Sequence, residues 1–193
     1  KDTPGFIANR IGIYWLQCGV VRAMDEGLTI EEADAVMGRH AGIPKTGVFG
    51  LLDMVGLDLM PHVLGAMAET LPENDPFHEV FREPELIKRM IEQGYTGRKG
   101  KGGFYRLKPD TADKIKEAVD LETGEYHKAE KPKLESVSVA KKGGLRALVG
   151  HSDKTGRYAW WVLSRTLSYA ARLVPEISDD ITGVDDAMRL GYN

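Results

Sequence analysis

Residues 2–27 read DTPGFIANRIGIYWLQCGVVRAMDEG and carry the strongest structural signal in the chain. Apolar side chains recur there at the spacing that places them on one face of an α-helix: Ile7, Ile11, Tyr14, Cys18 and Val21. Leu16, Val20 and Met24 widen this apolar face. Pro4 suits a first helical turn and Gly27 a left-handed cap at the far end. The sequence therefore predicts a helix from Pro4 to Met24, buried on more than one side, with Cys18 as a core residue and not a reactive thiol.

Further helices are predicted up to about residue 93. Thr29 and Glu32 have the spacing of a capping box, which predicts the start of a second helix. A short apolar helix is expected to end near Gly56, and Asp58 is a candidate cap for the helix that follows it. Residues 84–93 begin with proline and stop before a glycine, as helices commonly do. An all-α fold is the expectation for this part of the chain.

A glycine-rich and then a basic stretch follow these helices. Residues 94–107, GYTGRKGKGGFYRL, lack the spacing of a phosphate-binding loop and favour a turn and a short strand over an anion site. Between Arg98 and Arg146 there are 13 basic and 8 acidic residues. We interpret residues 108–144 as a basic, solvated connector of loops and short strands, although its charge could also attract an anion. Residues 111–119 are the one helical candidate in it, and residues 123–125 the predicted tip of a hairpin.

A half-repeat is present near the C-terminus. Residues 181–188, ITGVDDAM, match residues 30–37, IEEADAVM, at an offset of 151, and an apolar helix is predicted before each stretch, over 156–174 in the second case. The second copy stops at Asn193, where the first continues into its Pro44 segment. We expect that the chain ends before this copy is complete.

Composition places the chain among ordinary globular proteins. It has 193 residues, 42% hydrophobic residues and a net charge of −3, which argues against strong nucleic-acid binding. Its single cysteine excludes an internal disulfide, and no apolar run is long enough to span a bilayer. A reducing, cytoplasmic location is the expectation. Because the chain starts at Lys1 without a leader, we expect it to be part of a longer protein.

The histidines do not predict a metal site. None of the five has the spacing of zinc ligands, and one cysteine cannot complete a usual structural zinc site: His40, His62, His78, His127 and His151. The sequence predicts that the chain binds no metal.

Three motifs in order, DTPGFIANRI, GIPKTGVFGLLDMVGLD and GRKGKGGFY, resemble the C-terminal domain of the 3-hydroxyacyl-CoA dehydrogenases of fatty-acid β-oxidation. From about residue 145 the chain resembles the start of a second copy, as in multifunctional enzymes that also carry an enoyl-CoA hydratase module. The resemblance implies an all-α fold of two similar helical units of the 6-phosphogluconate dehydrogenase C-terminal-like type. Their expected ranges are 1–107 for the first domain, 108–144 for a basic connector with short strands, and 145–193 for the incomplete second copy.

The same resemblance implies a role for Asn9. In the family, the PGF-x-x-NR motif supplies an active-site asparagine, whose amide would donate a hydrogen bond to the 3-oxygen of the substrate. The second copy has Ala159 or Trp160 at this place, so it should lack the function. NAD and a catalytic His–Glu pair are implied in an upstream Rossmann domain, and neither that pair nor a G-x-G-x-x-G unit is present here.

The implied function is that of the C-terminal part of an NAD-dependent (3S)-3-hydroxyacyl-CoA dehydrogenase, inactive on its own, which completes the substrate cleft and a domain or subunit interface. Its implied partners are an acyl-CoA substrate and the upstream domain, with a hydratase module and a homo-oligomer left open. For Arg10, a structural ion pair is favoured over contact with acyl-CoA. A helical association module anchored by Trp160 and Trp161 is the main alternative. A helix-turn-helix over residues 28–48 is disfavoured, because its acidic side chains would repel DNA phosphates.

Overall fold

A computed structural model describes residues 1–109 and 113–192. The helices there are α1 (Ala8–Asp25), α2 (Ile30–Val36), α3 (Phe49–Val55), α4 (Met60–Thr70), α5 (Phe77–Val80), α6 (Glu85–Glu92), α7 (Glu135–Val149), α8 (Lys154–Arg172) and α9 (Ile181–Tyr192). A 3-10 turn spans Arg39–Ala41, and three short strands are β1 (Tyr105–Leu107), β2 (Lys116–Val119) and β3 (Tyr126–Lys128). The predicted all-α class is confirmed, and the predicted short strands form a small sheet.

Helix α1 is the long buried helix that the sequence predicts. It begins at Ala8 and not at Pro4, because Gly5 and Phe6 both have positive φ angles and form a turn in front of it. It ends as predicted, with Gly27 at φ +61° and the Leu28 N–H bonded to the Ala23 carbonyl. Cys18 is fully buried, and burial raises the pKa of its thiol to about 12. Its predicted role as a core residue is confirmed.

The predictions for α2, α3 and α6 are confirmed, including the capping box of Thr29 and Glu32 and the end of α3 at Gly56. The cap predicted at Asp58 is wrong. Helix α4 has Leu59 at its N-cap position and no side-chain cap, because it is preceded by a turn in which the Leu59 N–H already bonds the Gly56 carbonyl.

The connector is more ordered than the sequence predicts. Strands β1, β2 and β3 form an antiparallel meander, and the predicted hairpin tip is confirmed, with Gly124 at φ +78°. The helix considered over residues 111–119 is wrong for residues 116–119, which form strand β2 and pair with a strand on each side. Thr111 and Ala112 lie outside the described residues. The loop expected up to 144 is also wrong, because α7 starts at Glu135.

Helices α1 and α8 form the centre of the molecule and run antiparallel. Near one end of the pair Tyr14 stacks on Tyr169 with ring centroids 4.0 Å apart, and near the other the Tyr158 hydroxyl donates to the Gly19 carbonyl at 3.0 Å. Helix α2 also packs against α8, while α9 packs against α1. Each short helix therefore lies on the long helix of the other unit, and both units share one hydrophobic core. The division at residues 107 and 144 stays a prediction.

No single helix in the described ranges is long and apolar enough to cross a bilayer. The bent pair of α3 and α4 passes the same test by length and composition.

Candidate functional site

The turn before α1 fixes where the Asn9 side chain is presented. Gly5 has φ +75° and Phe6 has φ +53°, a conformation that is uncommon for a residue with a side chain. A Cβ atom on Gly5 would lie 3.1 Å from the backbone nitrogen of Arg10, so the turn is pressed closely against the helix. The Arg10 N–H donates to the Gly5 carbonyl at 3.1 Å. Asn9 thus stands in the first turn of α1, on a helix end whose path is closely constrained.

Arg10 anchors this helix end from the buried side. Its guanidinium is fully buried, pairs with Asp75 at 2.6 Å and donates through Nε to the Tyr169 hydroxyl at 2.7 Å. A second carboxylate, that of Glu176, lies 3.3 Å away. Burial lowers the pKa of Arg10, but the bonds to Tyr169 and Asp75 outweigh it, so the net pKa is raised. The structural ion pair predicted for Arg10 is confirmed, and the hydrogen bond from Arg10 to Tyr169 joins the first unit to the second.

Asn9 itself is exposed, and its side chain makes no hydrogen bond to any described residue. Phe6, one turn earlier, is 62% exposed. In the second unit, Ala159 is fully buried and Trp160 is 59% exposed, so neither of the two possible counterparts presents an amide at this place. The first unit therefore presents a free amide beside an exposed aromatic ring.

A partly buried carboxylate that sequence reasoning missed connects two of the three motifs. Asp34 in α2 accepts hydrogen bonds from the backbone N–H groups of Phe49 and Gly50, at 2.8 and 3.0 Å. It thereby caps α3 from a distance of 15 residues along the chain. The Tyr105 hydroxyl also donates to Asp34, at 2.9 Å. Burial raises the pKa of Asp34 to about 7, although these three donors act in the opposite direction.

Asp53 performs the same task for the glycine-rich segment. Its carboxylate accepts from the N–H groups of Phe104 and Tyr105 at 2.7 and 2.8 Å, and burial raises its pKa to about 6. Cβ atoms on Gly97 and Gly103 would lie 2.4 and 2.0 Å from Asp53 atoms. The predicted turn and strand are confirmed here. A negative side chain fills the concave side of the glycine segment, so this chain's glycines do not fit a dinucleotide phosphate.

The only sequence signal for Asp34 and Asp53 was an acidic residue among apolar ones, which usually marks an exposed helix face. Their backbone partners lie 15 and 51 residues away. The glycines that pack against them could have suggested a close approach, but not which side chain makes it.

The histidines are scattered. His78 bonds the Pro72 carbonyl at 3.0 Å, His127 lies 3.2 Å from Glu31, and His151 contacts Asp153. Across residues 1–109 and 113–192, no group of three or more His, Cys, Asp or Glu side chains could hold a metal ion.

Comparison with known proteins gives a consistent result. The profile of the family described as "3-hydroxyacyl-CoA dehydrogenase, C-terminal domain" matches residues 5–107. A "Putative fatty acid oxidation complex trifunctional enzyme" of Rickettsia prowazekii is 34% identical over 193 residues, which is all of this chain and 26% of that protein. A "Probable 3-hydroxyacyl-CoA dehydrogenase" of Bacillus subtilis is 39% identical over 194 residues, all of this chain and 24% of that protein.

The mitochondrial hydroxyacyl-coenzyme A dehydrogenase of mouse is 38% identical over 109 residues, which covers 56% of this chain and 33% of that protein. The chain thus spans about a quarter of the length of the two bacterial relatives. No solved structure matches it significantly.

Proposed function

Because the chain belongs to the 3-hydroxyacyl-CoA dehydrogenase family, we propose that it is the C-terminal part of an enzyme that oxidises (3S)-3-hydroxyacyl-CoA to 3-oxoacyl-CoA with NAD in fatty-acid β-oxidation. The observation that carries the proposal is the exposed, unbonded Asn9 in the family's PGF-x-x-NR motif. The names of the two bacterial relatives support the same reaction class.

Asn9 would act on the oxygen at carbon 3 of the substrate. This oxygen becomes a carbonyl when the hydride leaves, and an amide N–H aimed at it stabilises negative charge during the change. A fixed donor is more effective than a mobile one because it needs no reorganisation. The tight Gly5–Phe6 turn and the buried Arg10 anchor fix the helix backbone that carries Asn9. Asn9 therefore has both the chemistry and the rigid support of a donor.

The remaining chemistry would belong to an upstream domain. NAD accepts the hydride when it is bound, and we expect the upstream domain to supply most of its binding site. A His–Glu pair from the upstream domain would take the hydroxyl proton. We expect the 193-residue chain to be inactive alone, and the complete enzyme to be cytoplasmic. A hydratase module and self-association remain compatible with this proposal.

A non-enzymatic association module is the second candidate, and one observation favours it. Trp160 is 59% exposed on α8, as an interface anchor would be. Trp161 is less suited, because it is partly buried and packs between Arg22 and Arg165, whose guanidinium carbons lie 5.2 and 4.6 Å from its ring centre. A module that only associates should self-assemble and have no affinity for acyl-CoA.

The test is NADH formation by the longer protein on a medium-chain 3-hydroxyacyl-CoA. Asn9→Ala should lower kcat/KM by roughly 10²- to 10³-fold, as loss of an oxyanion donor does. The unfolding midpoint should not change, since the Asn9 side chain has no partner in the fold. Asn74→Ala, at the other exposed asparagine that the structure describes, is the matched control and should retain activity. Full activity of Asn9→Ala would refute the assignment.

A further inference from the structure

A groove of about 610 Å³ lies between α1, α8 and α9, close to the C-terminal end of the chain. Most of its lining is apolar, with contributions from Trp15, Leu163, Leu167, Val184 and Met188. Leu167 is 68% and Ile181 49% exposed, so the groove opens to solvent over apolar side chains. The burial of these surfaces would be favourable, which makes an open groove of this kind a candidate docking site.

The repeat shows what occupies the corresponding surface in the first unit. Three apolar side chains of the first unit are completely buried here: Ile30 and Ala33 in α2, and Met37 at its C-cap. Helix α3 packs against α2. Two of the three counterparts in α9 are less covered, since Ile181 is 49% exposed and Met188 only partly buried, whereas Val184 is buried. Among the residues that the structure describes, the second unit has the helix that corresponds to α2 and no element in the place of α3.

Asp185 places a carboxylate in the groove, and this carboxylate requires hydrogen-bond donors from a segment that binds there. Its counterpart Asp34 binds the backbone N–H groups of Phe49 and Gly50 at the start of α3. Asp185 lines the groove, is exposed, and has no hydrogen bond or ion pair with any residue that the structure describes. A carboxylate in this position fits two free N–H groups at the beginning of a helix.

Two further observations narrow the occupant. Trp15 lines the same groove, and its buried indole N–H has no acceptor in residues 1–109 and 113–192. In the first unit, a Cβ atom on Gly47 would lie 2.5 Å from Asp34, so the segment that reaches this aspartate must have a glycine there. The matched relatives are about four times as long as this chain, so each contains further polypeptide outside the matched region.

We propose that this groove binds a glycine-containing turn and the first turn of an apolar helix, equivalent to residues 47–52, supplied by the same polypeptide after residue 193. Asp185 accepts hydrogen bonds from the first N–H groups of that helix, and its apolar side chains cover Trp15 and Met188. The proposal is independent of the role of Asn9, and its test involves no activity measurement.

The experiment extends the 193-residue chain directly with a second copy of residues 43–56, which is the register that the repeat gives. Amide hydrogen exchange in α9 should slow by about tenfold or more on extension, because a covered helix opens less often. Asp185→Ala should abolish this slowing, and Asp186→Ala, which removes a neighbouring exposed carboxylate, should retain it. An extension with valine in place of the glycine that corresponds to Gly47 should also fail to slow exchange in α9.

Three results would overturn the proposal. One is unchanged exchange in α9 on extension. Another is an equal loss of protection in Asp185→Ala and Asp186→Ala. The third is protection of α9 in the unextended chain by another occupant, either a second copy detected by sedimentation or a saturated acyl-CoA that the extension does not displace.

Discussion

Asn9 and Arg10 are consecutive residues with opposite surroundings. Arg10 is fully buried and bonded to groups from both units, while Asn9 is exposed and its side chain bonds no residue in the described ranges. The separation of tasks follows from helix geometry, since consecutive side chains point about 100° apart. The hydrogen bonds of Arg10 hold the helix end, while the neighbouring amide of Asn9 stays exposed.

The buried anchor gives a prediction about stability. Arg10→Leu should lower the free energy of unfolding by about 3–5 kcal/mol, because it leaves the Asp75 carboxylate buried without its cation. Arg82→Leu removes an exposed ion pair with Asp25 and should cost less than about 1 kcal/mol. Urea unfolding of both variants measures the difference, and equal losses would contradict the anchoring role.

Asp34 gives a prediction about pH. Its pKa in the folded protein, about 7, lies above the ordinary value of a carboxylic acid, so the folded state binds this proton more tightly than the unfolded state. The contribution of this group to the free energy of unfolding is therefore largest at low pH and is lost as pH rises towards 7. Asp34→Asn removes the titration. The stability advantage of the wild-type chain over the variant should therefore be larger at about pH 5 than at about pH 8 in urea unfolding; a constant difference would contradict the raised pKa.

At the scale of the elements, the contact between α2 and the start of α3 depends on the absence of a side chain at Gly47. This glycine has φ +66°, and a Cβ atom there would lie 2.6 Å from the Asp34 Cα. We expect Gly47→Ala to destabilise the chain by more than about 1 kcal/mol. Gly65→Ala is the control, since Gly65 lies within α4 with nothing within 4 Å of an added Cβ. It should stabilise by roughly 0.5–1 kcal/mol. Thermal unfolding compares the two, and a similar midpoint for both would refute the packing argument.

Local signals predict most of these elements. The apolar period of α1, the capping box of α2 and the proline and glycine around α6 each belong to a few adjacent residues, and each is confirmed. The start of α7 could not be predicted in this way. Ser136 there is held by Asp153 and Thr155, at 3.1 and 2.7 Å, and such contacts depend on the packing of a later helix. The network of Asp34 and Asp53 escaped prediction for the same reason.

At the scale of the whole molecule, the antiparallel pair of α1 and α8 makes one core from two units. Bonds from Arg10 to Tyr169 and from Tyr158 to Gly19 cross between them. The sequence repeat predicted a second unit, but it did not predict that the long helix of that unit, α8, would pack against α1 and bury it. This pairing supports the end of α1 from behind and leaves Asn9 exposed.

Ligand binding to the longer enzyme tests the central claim most directly. The affinities of a 3-oxoacyl-CoA and of the saturated acyl-CoA of equal length are compared in the wild-type enzyme and in Asn9→Ala. If the amide bonds the 3-oxygen, the variant should lose about 2- to 10-fold in affinity for the 3-oxo compound, as expected for one hydrogen bond, and nothing for the saturated one. An equal loss for both ligands, or no loss for either, would show that Asn9 does not contact that oxygen.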